Sequence, residues 1–591
     1  MVIATNLGSA LAQLGRYDEG LSVITEELAQ SDKSLRLRKL RGFLAQMSED
    51  FPLAIASYEQ VVVATPDDWE SWNNLGNARR LDGDLDGSAD ALGRAAKINP
   101  ASAPVRLNYA TTLVSAGRYD EAELQLKQMA KDFPSDAKPL RQLHMLFKTE
   151  SRDEDALEAI REAVEREPRD PELRLALASH QLSMLQHSAA EATYRQVVAQ
   201  DPENELANLG LAVVFELTNR ADALSDLVGE AAGRGVSENA LNFIRAFDHR
   251  RAKDFEAGLD ALSKVPEELE SARRAHLLGQ LEQGAGHYDE AFRAFERMNE
   301  IQLEDSSQPE ERAAGYRTII RTRLDALTPG YFSGWQETLV DERPSPVFLV
   351  GFPRSGTTLL DTILMSHPDI EVLEEEPALR DSNYVIPDFA ALPHAGADLV
   401  QKARDAYFES VAKLTPLKPG NLLVDKNPLA ITGIPFIRRM FPDAHIILAL
   451  RHPCDVVLSC FSTNFKLNDG MANFLRLDTT AELYDLSFLF FERCRDFLGP
   501  DLHTVRYEGI VEDRNAELRP LFEFLGLDWH DAVLDHETTA RGRAYIKTAS
   551  YAQVVEPIYK RSAGRWHNYR KHLEPMIPLL RPWAEKFGYE I

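Results

Sequence analysis

Residues 347–360 read Val-Phe-Leu-Val-Gly-Phe-Pro-Arg-Ser-Gly-Thr-Thr-Leu-Leu, and this stretch decides the fold of the C-terminal half. The short apolar run 347–351, closed by glycine and proline, predicts a buried strand. Leu359, Leu360, Ile363 and Leu364 then fall on one side of a helix. The turn between them, Gly351 to Thr358, would aim backbone N–H groups at an anion, with the positive end of the helix adding to the attraction. The spacing is that of a phosphate loop, yet Thr357 stands where a nucleotide triphosphatase carries its lysine. Without that lysine, a β,γ-phosphate pair with magnesium fits poorly and a single 5′-phosphate fits better. Taken alone, the loop also reads as a glycine turn with no ligand.

Outward from this stretch lie three more short apolar runs, residues 421–426, 445–451 and 503–508, separated by helical stretches. Alternation of this kind predicts a mostly parallel sheet, whose ligands bind beyond the carboxyl ends of the strands. The four predicted strands lead to Arg354, Lys426, Arg451 and Tyr507. After Arg451, Pro453 suits the first turn of a helix, which places Ser459 about two turns in and lets it share an anion with Arg451.

The N-terminal half has a different rhythm. Pro66, Pro100, Pro134, Pro168 and Pro202 recur every 34 residues. Small residues keep the same period, at Gly8, Gly42, Gly76, Ala110 and Ala178, and again twelve positions later at Gly20, Ala54, Ser88, Ala122, Ala156 and Ala190. Small positions let paired helices approach closely, and proline stops the second helix. The pattern resembles the tetratricopeptide repeat. It fades at about 220–270, returns at Leu278-Gly279, and reaches about residue 304. Either one continuous array or an array kinked by an insert accounts for the fading. The concave face of such arrays usually binds peptide segments, so the repeats either recruit a protein partner or only pack against the C-terminal half or a second copy.

Composition sets the outer limits. At 591 residues the chain exceeds a single core. Its 44% hydrophobic and 27% charged residues are those of a soluble globular protein, and the net charge of −27 argues against nucleic acid. Three cysteines, Cys454, Cys460 and Cys494, form no zinc or disulfide pattern. With no run of eighteen apolar residues and no signal peptide, no membrane span is expected and a cytoplasmic location follows. Oligomeric state has no signature in the sequence.

The loop, together with Arg451 and Ser459 about one hundred residues later, resembles the two-part signature of sulfotransferases that use PAPS (3′-phosphoadenosine 5′-phosphosulfate). The resemblance covers nearly all of 345–591. It implies a cofactor site of Arg354, Ser355, Gly356, Thr357 and Thr358 on the 5′ side, with Arg451 and Ser459 on the 3′-phosphate. Tyr507 is similar to the residue beside the adenine, and Arg565 lies in a basic segment that closes over the cofactor. The run from Arg354 to Glu374-Glu375-Glu376 resembles that of protein-tyrosine sulfotransferases, and ungapped matching puts the catalytic base on Glu375. A one-residue slip would move it to Glu374 or Glu376, and the three glutamates alone also suit a solvated charge run. Lys426 takes the family's lysine role at the leaving oxygen, with a surface pair of Asp425 and Lys426 as the alternative. Ser550 corresponds to a serine near the sulfate.

The sequence thus reads as a multidomain chain. An all-α tetratricopeptide-repeat solenoid, 1–304, is followed by a linker, 305–344, and an α/β, P-loop-like parallel-sheet sulfotransferase domain, 345–591. The expected reaction is sulfuryl transfer from PAPS to an acceptor hydroxyl, leaving PAP, with no metal. Protein tyrosine is the first acceptor; a glycan, lipid or small-molecule alcohol is the alternative. A P-loop kinase or NTPase and a non-catalytic repeat scaffold stand further off.

Overall fold

Each proline of the periodic series stands two residues past a helix end. Phe51–Ala64 precedes Pro66, Leu85–Ile98 precedes Pro100, Tyr119–Asp132 precedes Pro134, Asp153–Arg166 precedes Pro168 and His187–Gln200 precedes Pro202. Proline cannot extend a helix, so it closes each hairpin at the same length. The small position works through contact: a Cβ on Gly76 would lie 2.5 Å from Leu92 of the following helix, closer than atoms pack. The computed structural model describes all residues except 306, 333–334, 336–340, 387, 416, 419 and 543–562.

The chain divides into two units, Met1–Met184 and Leu185–Ile591. The first is helical hairpins throughout, with a core that includes Leu113, Leu126, Leu143, Phe147, Leu157 and Ile160. The division therefore falls inside the repeat array. In the second unit, hairpins run without a break through 220–270, with first helices starting evenly at Glu205, Glu238 and Ser271. The sequence rhythm fades there because the Phe255–Ser263 helix is short and its closing proline, Pro266, falls out of register.

The last hairpin, Ser271–Ala285 and Tyr288–Leu303, shares its core with the α/β part: Ala291, Phe292 and Phe295 pack in one cluster with Phe352, Phe461 and Trp566. Within the stretch read as a linker, Pro309–Ala326 is an 18-residue helix. Its Arg317 and Arg312 pair with Glu482 and Asp469, both at 2.8 Å.

The sheet has five parallel strands, β1 Val347–Gly351, β2 Ile370–Glu374, β3 Leu422–Lys426, β4 Ile446–Leu450 and β5 Leu502–Arg506, in the order β2-β3-β1-β4-β5. β1 and β4 are buried along their whole length, which is why they read as unbroken apolar runs. β2 was not expected. Ile370, Leu373 and Glu374 are buried while Glu371 and Val372, on opposite faces, are half-buried, which suits an edge strand with acidic residues among its apolar ones. From β1 the chain first builds β2 and β3 on one side, then crosses to β4 and β5 on the other. The loop after β1 therefore sits at the point where strand order reverses, where such sheets open a crevice.

Candidate active site

The loop after β1 carries Arg354 in the left-handed region, φ 72°, and Gly356 at φ 92°. Only glycine takes that second conformation without strain, and it frees the N-terminus of the helix Thr357–Met365. Ser355, Thr357 and Thr358 are buried at this helix start. Among the described residues of the sheet domain, Arg354 and Glu375 (φ 49°) are the two non-glycines with positive φ. Backbone strain held in place by surrounding structure concentrates at functional sites, and these are two of the residues the sequence singled out.

On one side of the loop, basic groups converge. Arg354 donates from Nε to Ser459 Oγ at 3.1 Å, and Arg451 donates to the Arg354 carbonyl at 3.2 Å. The Arg451 guanidinium lies 4.8 Å from the Tyr507 ring centroid, and that ring also covers the face of Gly356. Arg565 is brought in by a separate device. Asp455, fully buried in the helix Pro453–Phe461, accepts from Gly564 N at 2.7 Å and Trp566 N at 2.8 Å. Arg565 itself donates to Ser462 Oγ at 3.0 Å. Burial, with the like charges of Arg451 and Arg565 nearby, lowers Arg354 to about 10. Cations crowded this way describe an anion site.

On the other side, Lys426 ends β3 with no exposed surface. Its Nζ lies 2.7 Å from Glu375 Oε1, 3.3 Å from Asp361 Oδ2 and 3.4 Å from Glu374 Oε1. Register sets this up. Glu374 pairs with Lys426 across β2 and β3, and Glu375 N donates to the Lys426 carbonyl at 2.8 Å. Burial acts to lower the lysine, but the carboxylates of Glu375, Asp361 and Glu374 outweigh it and hold its pKa above the usual range. Asp361 and Glu374 are buried, whereas the Glu375 side chain keeps 35% of its surface exposed. A carboxylate that holds the lysine and still faces solvent can take a proton from an incoming group.

Two alternatives from the sequence fail on burial. Asp425 and Lys426 are not a surface pair: both are buried, and Asp425 accepts from Tyr407 at 2.9 Å. Burial raises Asp425 to about 7. Nor are the glutamates a wholly solvated run, since Glu374 is buried against Lys426. Ser550 lies outside the described residues. The sequence reading missed Asp361, Asp455, Ser462 and His276. His276, on the last repeat hairpin, is lowered to about 3 by burial with nearby Arg250 and Arg273. Asp361 had one available signal, a lone acid in an otherwise apolar helix.

The fold and site define a parallel-sheet α/β domain whose loop after β1 has phosphate-loop spacing but lacks the triphosphatase lysine. Residues 346–531 match the model of the sulfotransferase family, and 44–104, 80–144 and 175–223 match models of the tetratricopeptide repeat. The chain thus carries tetratricopeptide repeats and a sulfotransferase-family domain. It is similar to an uncharacterized protein of Aquifex aeolicus (strain VF5), at 25% identity over 547 residues, covering 82% of this chain and 70% of that one. It is also similar to protein-tyrosine sulfotransferase 1 of Danio rerio, at 26% identity over 310 residues, 49% of this chain and 81% of the relative. Among solved structures, the sulfotransferase domain from the curacin biosynthetic pathway aligns with a TM-score of 0.31 and 18% identity, over 42% of this chain and 100% of that domain. Among the described residues, no helix is long and apolar enough to cross a membrane.

Proposed function

We propose that the chain transfers the sulfuryl group of PAPS to a hydroxyl, with a protein tyrosine as acceptor. The observation that carries the reading is the convergence of Arg354, Arg451, Arg565 and Ser459 beside a phosphate loop without its lysine. A 5′-phosphosulfate on the loop and a 3′-phosphate between Arg451 and Ser459, with Arg565 closing over it, would use all of these groups. Similarity to a protein-tyrosine sulfotransferase supports the acceptor class, and the repeats suit a macromolecular substrate.

In this mechanism the acceptor oxygen attacks sulfur while the bond from sulfur to the 5′-phosphate oxygen of PAPS breaks. Glu375 takes the acceptor proton. Protonation removes the negative charge that Lys426 was paired with, which frees the lysine to face the leaving oxygen as PAP departs. Asp361 and Glu374 keep Lys426 cationic throughout. Arg354 stabilises charge on the transferring group, as preorganised cations do in such sites. Ser550 is the proposed hydroxyl at the reacting centre.

Calorimetry with PAP, 5′-AMP and ATP tests the donor assignment. PAP should bind at least tenfold more tightly than 5′-AMP; equal affinities would remove the 3′-phosphate site. Labelled PAPS offered to tyrosine peptides, glycans and small phenols then tests the acceptor. Labelling of glycans without peptides would overturn the tyrosine reading.

A further inference from the structure

The groups proposed to hold the 3′-phosphate come from segments far apart in sequence. Ser459 lies on the helix Pro453–Phe461, and Arg565 lies just beyond Gly564. With Arg354 and Arg451 they bring three positive charges together, so these groups repel one another and need ties from outside. Asp455 supplies two of these ties.

The last repeat hairpin supplies the others. The Phe292 ring stacks on Phe461 at 5.1 Å between centroids and on His572 at 4.0 Å, so one side chain bridges the two segments. Asn299, 2% exposed, donates to the Phe461 carbonyl at 3.0 Å, and Gln302 donates to Asn464 at 2.9 Å. On the far side, Tyr569 donates to Gln283 at 3.0 Å, and His572 pairs with Asp289 at 2.7 Å. These contacts fall on the two segments bearing Ser459 and Arg565. The 5′ loop hangs mainly from β1 and the helix Thr357–Met365, and meets the Ser459 helix through Arg354 Nε and the Pro353 carbonyl.

We propose that the last repeat hairpin is a working part of the 3′-phosphate grip, with Phe292 and Asn299 as positioning residues that hold the Ser459 helix against the Arg565 segment. The final unit of the repeat array then sets donor selectivity. This rests on the PAPS reading above.

The test measures PAP and 5′-AMP affinities by calorimetry on the full chain, for the wild type and for Phe292→Leu, Phe292→Tyr and Asn299→Ala. Loosening the two segments should weaken PAP about tenfold in Phe292→Leu while 5′-AMP stays within about twofold, because misplacement by an ångström is costly only where both segments contact the ligand. Phe292→Tyr keeps the stacked ring and should restore PAP binding. In turnover, the KM for PAPS should rise more than kcat falls. Asn299→Ala removes one hydrogen bond, should lower PAP affinity by a smaller factor in the same selective way, and decides the question if Phe292→Leu does not fold. Equal loss of both ligands, or unchanged PAP preference in folded variants, overturns the inference. A wild type that does not prefer PAP to 5′-AMP instead overturns the donor reading itself.

Discussion

Replacing Lys426 with methionine keeps the side-chain volume and removes one positive charge from a cage of three carboxylates. The lysine has no exposed surface, and Asp361 at 3.3 Å and Glu374 at 3.4 Å are themselves 0% and 7% exposed, so water cannot take its place. Removing one partner of a buried ion pair costs about 3–5 kcal/mol, because the stranded charge is left without compensation. At roughly 2 °C per kcal/mol for a large domain, the unit 185–591 should melt roughly 6–10 °C lower. The sign with pH follows from the raised lysine: its contribution is complete below 10.5, the ordinary lysine value, and is lost only as pH rises through the higher folded value. The whole deficit is therefore present at pH 7. Adding Asp361→Asn to the variant removes one stranded charge and should recover at least about 1 kcal/mol, although Asp361→Asn alone destabilises the wild type. Differential scanning calorimetry on the four proteins of this cycle reads both effects. A fall in melting temperature of less than about 2 °C for Lys426→Met, or independent effects of the two substitutions, would refute the buried cage.

Glu375→Gln should keep the fold and PAP affinity while lowering kcat by about 10²–10⁴, as loss of a positioned base does; a change of less than tenfold in single-turnover assays would reassign the base. Deleting 1–184 should leave a soluble, PAP-binding unit, whereas deleting 1–304 removes Phe292 and Asn299 from the core around Phe461 and should give insoluble protein; expression and gel filtration decide this. In the first unit, burial lowers His144 from 6.5 to about 4, so the unfolded chain binds its proton first and stability falls as pH drops from 6.5 towards 4. His144→Gln should flatten that slope in hydrogen exchange of the helices Lys138–Thr149 and Asp153–Arg166. An unchanged slope would show that other groups carry it.

Much of this protein was written in local pattern. The 34-residue series of prolines and small residues determines the hairpins, because a helix stop and a close helix contact are set by one residue each. The strand, glycine turn and helix of 347–365 determine the loop after β1, and its missing lysine underlies the proposed ligand. Tertiary structure decided what depends on distant neighbours. β2 showed little as a sequence because acidic residues interrupt its short apolar run, and only its pairing with β3 sets Glu374 and Glu375 against Lys426. Asp361 became part of the site because the loop helix is buried on all sides, so its one acid needed a cation. The boundary between units lies inside the repeats for the same kind of reason: periodicity records how each hairpin is built, but not which surface finally buries it. Phe292 occupies an ordinary repeat position, and its ring lies between Phe461 and His572 only because the chain returns there after more than 150 residues.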